Sequence, residues 1–332
     1  MAKKYNNYIE YLNDTIRIPE KHKYIAIDLF AGCGGLSLGF EAVGIKTIGY
    51  EMAEDCCNTY RHNMYSECHH EFITKDTPIP SANIVIGGPP CQPFSRRGKQ
   101  TGQDDQRNGF PAFIEAIRKL SPDIWVCENV KGLPEQNKEY FQSIIKSFDE
   151  LGYQVENHVV QMVQYDVPQN RERLVIVGHH GGFQFPKPND YKITAGEALG
   201  ELAGEAPDDA AYLTPAMDDY IAKYEAASQC KNPRDLHLDK PARTLTCRNL
   251  AGATSDMHRI KLPDGRRRRI TVREAARLQG FPDWFEFSGS EESQFTQIGN
   301  AVPPIFSFKL AQAIINYMEA RENVLLPPSY QL

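Results

Sequence analysis

The chain has 332 residues, of which 41% are hydrophobic and 24% charged, and a formal net charge of −6. Those proportions exclude a chain dominated by disorder and fit a globular protein of one or two lobes. No apolar run reaches bilayer-crossing length by inspection, and the opening residues lack the apolar core of a signal peptide, so no membrane partner and a cytoplasmic location are expected, with the eight cysteines kept as thiols.

In chain order, apolar runs at 24–30, 46–51, 82–88, 123–129 and 173–178 predict buried strands. Helical patterns at 36–43, 55–63, 110–120 and 138–151 fall between them. Strand, helix, strand in this order implies an α/β fold with a mostly parallel sheet and helices on both faces. After Gly178 the pattern weakens into segments rich in Pro, Gly and acids, which predicts a smaller, irregular second lobe. Helical periodicity returns at 272–281 and at 303–320, where Phe306, Leu310, Ile314 and Met318 recur at helical spacing. The last helix is expected to pack back on the first lobe. The expected division is 1–186 with 297–332 as one domain, 187–269 as the second, and 270–296 as a hinge.

Two loops at the carboxyl ends of the strands hold the chemistry. The first strand runs into Ala31-Gly32-Cys33-Gly34-Gly35 and a helix, an arrangement that brings a nucleotide-like ligand close to backbone amides. A G-x-G-x-x-G pattern starting at Gly32 would need glycine where Ser37 stands, which counts against a dinucleotide. Glu51 ends the second strand, where a carboxylate can accept from two ribose hydroxyls, so adenosine fits better than pyrophosphate. After the strand at 82–88, the segment GGPPCQPFS presents Cys91 on a stiff, proline-flanked turn. The polar, basic stretch at 95–111 reads either as a mobile loop closing over phosphates or as an ordinary surface loop. Arg266 to Arg269 form a second basic run, either a basic face on an acidic protein or a solvated surface. Cys56, Cys57, Cys68, His69 and His70 match no zinc spacing and are read as structural.

These segments together resemble the cytosine-5 DNA methyltransferase family of the bacterial restriction-modification type. DLFAGCGG, GGPPCQPFS, ENV, QNRERLVIVG, ITVREAARLQGFPDWF and QIGNAVP occur in the family's order and span nearly the whole chain, except for the first 23 residues and 181–239. The resemblance implies the Rossmann-like fold of S-adenosylmethionine-dependent methyltransferases, with a target-recognition domain and no metal. It also implies S-adenosylmethionine as methyl donor, S-adenosylhomocysteine as product and double-stranded DNA as substrate. A monomer is expected, and a cognate restriction endonuclease would act on the same site.

For the residues, the resemblance makes Cys91 the covalent nucleophile at carbon 6 of cytosine, a task suited to a thiolate. Glu128 stands where the family has the carboxyl that relieves negative charge at nitrogen 3. Arg171 and Arg173 alternate at strand spacing and should face one side. The resemblance makes Arg173 the base contact, and Arg171 is either a second such contact or a structural ion-pair partner. The methyl-donor pocket falls to Phe30, Ala31, Gly32, Gly34, Gly35, Glu51, Met52, Asp76, Thr77, Gly88, Pro90, Phe110, Asn300 and Val302. Met52 departs from the large or aromatic residue usual after the ribose carboxylate. DNA contacts are expected from Ser95, Arg96, Arg97, Lys99, Arg107, Arg243, Thr244, Arg248 and Arg259, mostly to phosphate. The target base would have to leave the stack. A nicotinamide oxidoreductase, a non-catalytic DNA-binding relative and a transfer-RNA methyltransferase are the alternatives. The missing glycine opposes the first, the presence of Cys91 and Glu128 the second, and the separate recognition stretch the third.

Overall fold

The computed structural model describes residues 5–90, 108–206, 210–227, 234–251 and 256–325. Helix α1 (Tyr8–Thr15), capped by the Asn7 side chain accepting from the Glu10 amide, precedes strand β1 (Tyr24–Leu29). Helix α2 (Gly35–Glu41), strand β2 (Ile45–Glu51), helix α3 (Glu54–Asn63) and strands β3 (Cys68–His70) and β4 (Ile84–Gly87) follow. Next come α4 (Phe110–Leu120), β5 (Ile124–Val130), α5 (Leu133–Gln136), α6 (Lys138–Asp149), β6 (Gln154–Gln161), β7 (Gln169–Asn170) and β8 (Glu172–His179).

Seven strands form one sheet in the order β3-β2-β1-β4-β5-β8-β6. Neighbours from β3 to β5 pair parallel, whereas β8 runs antiparallel to both β5 and β6. The mostly parallel Rossmann-like sheet is therefore present. The four strands β1, β2, β4 and β5 have helices over both faces and are nearly continuous apolar runs. The outer strands β3 and β6 lie beyond the apolar runs read from the sequence: β3 has three residues, and the polar β6 leaves most of its side chains exposed or half-buried. Strand order reverses between β1 and β4, which opens a crevice where the loops after these two strands emerge.

Beyond β8 the elements are short apart from one 13-residue helix: α7 (Ala195–Leu199), the longer α8 (Pro215–Ala227), β9 (Ala242–Arg243), α9 (Cys247–Ala251), and the antiparallel pair β10 (Arg259–Lys261) and β11 (Arg267–Arg269). The run of four arginines is not an open basic face. Arg266 pairs with Asp264, Arg267 with Asp218 and Asp235, Arg268 with Glu274, and Arg269 with Glu291.

Three helices follow among the described residues: α10 (Val272–Gln279), α11 (Glu291–Asn300) and α12 (Pro304–Leu325). Helix α12 packs on α2, as its apolar periodicity implies. A side chain at Gly39 would overlap the backbone of Ser307 and Phe308, so close approach of the two helices requires glycine there. The stretch Glu291–Asn323 is apolar and long enough to cross a bilayer, contrary to inspection of the sequence, but residues 301–303 interrupt its helix and 61% of its most apolar window is buried in the fold.

Candidate active site

The loop after β1 begins with a strained residue. Phe30 has a left-handed φ of 63°, a conformation costing a bulky side chain on the order of 1–3 kcal/mol. Gly32 follows at φ 56°, with no atom within 4 Å of the position a side chain would take, so the backbone there faces open space. Across the loop, the Glu51 carboxylate is fixed at both oxygens. Oε2 accepts from the Gly32 amide at 2.9 Å and Oε1 from the Ala53 amide at 2.8 Å. The Ala31 amide donates to the Tyr50 carbonyl, tying the glycine loop to the end of β2.

Ser37, standing where a dinucleotide fold has its third glycine, is buried and donates to Asp28 Oδ2 at 2.7 Å. Close packing falls instead on Gly35, where a side chain would strike the Val302 carbonyl. Val302 is thereby held against the start of α2, while Asn300 at the end of α11 is exposed. Met52 projects into solvent at 62% exposure, with its carbonyl 2.9 Å from Nε2 of His70. Asp76 is exposed in a turn whose amide donates to Thr74, and Thr77 is buried in the same turn, accepting from the Thr74 amide.

The second loop leaves β4 at Gly88-Pro89-Pro90. Asn129 donates from Nδ2 to the Pro89 carbonyl at 2.9 Å, and the Gly109 amide donates to the Pro90 carbonyl at 3.0 Å. Both ends of the segment leading to position 91 are thus pinned, and Phe110 is buried at the start of α4 beside them. A role for Asn129 is not evident from the sequence, although its place next to Glu128 at a strand end is a signal: adjacent strand residues point opposite ways, so one serves the cleft and the other the frame. Cys91, Ser95, Arg96, Arg97, Lys99 and Arg107 lie outside the described residues.

Glu128 lies at the mouth of this loop. Its Oε1 is 3.1 Å from Nε of Arg173, and the two side chains are only 13% and 16% exposed. Gly88 faces the same carboxylate, since a side chain there would meet Oε2 at 3.5 Å. Register explains the encounter, because Arg173 pairs with Val130 on β5, two residues beyond Glu128.

Arg171 goes elsewhere. It precedes β8 in a tight turn, its amide donating to the Gln169 carbonyl, so the strand alternation with Arg173 does not apply. Its guanidinium, 1% exposed, donates to the carbonyls of Leu245 at 2.8 Å, Ala301 at 3.1 Å and Gly299 at 3.2 Å. Burial pulls its pKa down to about 9, and the Arg173 charge adds to that. The alternative of an ion-pair partner is also revised: three carbonyls, not a carboxylate, receive its hydrogen bonds. Arg171 is a tie between segments rather than a base contact.

Among the residues expected at DNA, Arg259 is likewise corrected. It is buried, with Nε 2.5 Å from Asp235 and Nη2 3.0 Å from Glu225, and no face is left for a phosphate. Arg243 is half-buried against Asp256. Arg248 is largely exposed with Asp256 at 4.0 Å, and the hydroxyl of the half-buried Thr244 donates to the Asn170 carbonyl. Two groups are thus brought together at the ends of the strands, Gly32 with Glu51, and Gly88 with Glu128 and Arg173.

A family model described as C-5 cytosine-specific DNA methylase matches residues 24–316. The chain is 48% identical over 322 residues to the Type II methyltransferase M.AplI of Arthrospira platensis, a match covering 96% of this chain and 93% of that one. It is 35% identical to the Type II methyltransferase M.NgoFVII of Neisseria gonorrhoeae, over 87% of this chain and 86% of the other. Among solved structures, the Entamoeba histolytica methyltransferase EhMeth has the same fold, with a TM-score of 0.70 at 17% identity over 90% of this chain and 99% of that chain. The six ordered motifs, the sheet order and these matches agree, and the chain belongs to the C-5 cytosine-specific DNA methylases as a DNA cytosine-5-methyltransferase.

Proposed function

We propose that the protein methylates carbon 5 of one cytosine within a specific duplex sequence, through a covalent adduct between Cys91 and carbon 6 of the extruded base. Residues 1–186 with 297–332 form the catalytic and cofactor domain in this reading, 187–269 the recognition domain and 270–296 the hinge. The observation that carries it is the ion pair of Glu128 and Arg173 beside a segment whose Pro89 and Pro90 carbonyls are both pinned just before position 91.

The open backbone at Gly32 and the doubly fixed Glu51 carboxylate fit the ribose of S-adenosylmethionine. Phe30, Ala31, Gly34, Gly35, Met52, Asp76, Thr77, Gly88, Pro90, Phe110, Asn300 and Val302 would complete its pocket. When bound, S-adenosylmethionine supplies an electrophilic methyl group. The Cys91 thiolate adds to carbon 6 and pushes an electron pair into the ring. Glu128 relays a proton from solvent to nitrogen 3 that neutralises this charge, while Arg173 holds the carboxylate and the base oxygen in register. Carbon 5 is then nucleophilic enough to take the methyl group. The carbon-5 proton then passes to solvent, the Cys91 sulfur departs with its electron pair and the proton on nitrogen 3 returns to Glu128, which restores the aromatic ring. Extrusion of the base is required because carbon 6 is covered inside a stacked duplex.

The 48% identity to a Type II methyltransferase supports duplex DNA as substrate and protection against a cognate endonuclease as the purpose. A cytoplasmic monomer acting on DNA through Ser95, Arg96, Arg97, Lys99, Arg107, Arg243, Thr244 and Arg248 fits the same reading.

The test uses duplex DNA carrying 5-fluorocytosine at the methylated position, first mapped on plasmid from cells expressing the protein. A fluorine at carbon 5 cannot leave as a proton, so the adduct should persist through denaturing electrophoresis. Cys91→Ala should give no adduct and no methylation while still binding S-adenosylmethionine. Turnover by that variant would sink the proposal.

A further inference from the structure

Helix α1 lies outside the residues matched by the family model and carries none of the six motifs, yet it touches three separated parts of the chain. The buried Tyr8 hydroxyl donates to the Asp166 carbonyl at 2.9 Å, and the Tyr11 hydroxyl to Asp166 Oδ2 at 2.7 Å. Asp166 is itself buried at a left-handed φ of 64°, and its carboxylate also holds Asn189 Nδ2 at 2.6 Å and Lys309 Nζ at 2.9 Å. A buried carboxylate with three side-chain donors fixes its turn firmly, since each lost donor leaves a desolvated partner unpaired. That turn lies three residues before Gln169, where the segment carrying Arg171 and Arg173 begins.

On its other side α1 meets the chain beyond α10. Asn13 Oδ1 accepts from the Asp283 amide at 2.7 Å, and the Ile16 carbonyl accepts from the Trp284 indole at 3.2 Å. Asp283 forms a two-pronged pair with Arg277, which also donates to the Leu199 carbonyl at the end of α7 at 2.7 Å. Ile9 abuts Gly200 beside that carbonyl. One helix thus joins the entry of the 187–269 region, the segment that follows its exit, and the turn that feeds Arg173.

We propose that α1 is a strap setting the position of residues 187–269 against the catalytic sheet, with Tyr11 and Asn13 as positioning residues for target-site discrimination. This rests on the reading of 187–269 as the recognition domain. A shift of that domain draws on Leu199 and Asp283, and through α1 on the Asp166 turn, so site fit is coupled to Arg173 by a continuous chain of hydrogen bonds and packing.

Tyr11→Phe and Asn13→Ala remove one polar contact each while keeping the helix. The experiment measures S-adenosylmethionine affinity by calorimetry, and kcat and KM on duplexes bearing the mapped site or the same site with one base pair changed. The double variant should keep cofactor affinity within about twofold while its discrimination, the ratio of kcat/KM between the two duplexes, falls on the order of tenfold. A merely structural α1 would lower thermal stability and both activities in proportion, leaving that ratio unmoved, and this result overturns the strap. A chimera carrying a relative's residues for 187–269 separates the two readings. An unchanged methylation site removes the recognition reading and this proposal with it, whereas a changed site with unmoved discrimination in the Tyr11 and Asn13 variants removes the strap alone.

Discussion

At the scale of single residues, the sequence makes the carboxylates legible by their place at strand ends but not their partners. Glu51 closes β2 and Glu128 lies two residues before the end of β5, and each meets a glycine loop, at Gly32 and Gly88 respectively. Asp28 differs, because nothing in DLFAGCGG distinguishes a cleft carboxylate from a buried one. It is completely buried in β1, and burial pushes its carboxyl up to about 7, against the Ser37 hydrogen bond that pulls it down, while the Glu51 charge nearby raises it further. In the unfolded chain the group ionises near the ordinary aspartate value of about 3.9. Between these two values the folded protein holds the proton and the unfolded chain has lost it, so stability falls as pH rises, by about 1.4 kcal/mol per pH unit at most. This contribution is fully present below the unfolded value and gone above about 7. Asp28→Asn, which keeps an acceptor for Ser37, should therefore gain stability relative to the parent as pH rises from 4 to 7, and the gain should level off beyond. Chemical denaturation of both proteins at pH 5, 6 and 7.5 checks this, and a pH-independent difference would show that Asp28 does not carry the proton.

At the scale of elements, local pattern and long-range pairing part company. Helix α4 has the bounds its periodicity predicts, and α10 begins with a capping box in which Thr271 and Glu274 exchange side-chain and backbone hydrogen bonds. Of the four arginines before it only Arg266 has a local partner, Asp264; the other three cannot be interpreted locally, since their partners come from α8, α10, α11 and the residues around 235. Arg268 is the decisive member: fully buried, it pairs with Glu274 at 2.7 and 2.8 Å and donates to the carbonyls of Leu202 and Glu205, joining β11 to the start of α10. Removing one partner of a buried pair leaves the other charge without compensation, which costs about 3–5 kcal/mol. Arg268→Met should show a loss of that order in urea unfolding. Adding Glu274→Gln, which preserves the capping box but removes the orphaned charge, should recover part of it. No recovery in the double variant would mean that the carbonyl contacts, not the ion pair, dominate.

At the scale of the whole molecule, the sheet was legible where both faces are covered and illegible at its margins. The runs of β1, β4 and β5 are apolar because helices shield them on both sides, whereas β6 is an edge strand whose polar residues meet solvent. The fate of Arg171 was hidden for a related reason: its three acceptors lie 74, 128 and 130 residues away, in segments that only the folded chain brings together. That same convergence bears on modularity. Gln169 accepts from the Leu245 amide and Arg171 donates to the Leu245 carbonyl, so backbone atoms of the 187–269 region take part in its junction with the segment that feeds β8. Backbone acceptors survive replacement of the sequence that supplies them. A chimera carrying residues equivalent to 187–269 from the Neisseria gonorrhoeae relative should therefore fold, bind S-adenosylmethionine within about twofold of the parent, and methylate the donor's site. Mapping of 5-methylcytosine at single-base resolution on plasmid from cells expressing the chimera decides the matter. A folded, cofactor-binding chimera that still marks the original site would place sequence recognition on the loop beyond Pro90 or on the sheet itself, and the division into catalytic and recognition domains would have to be redrawn.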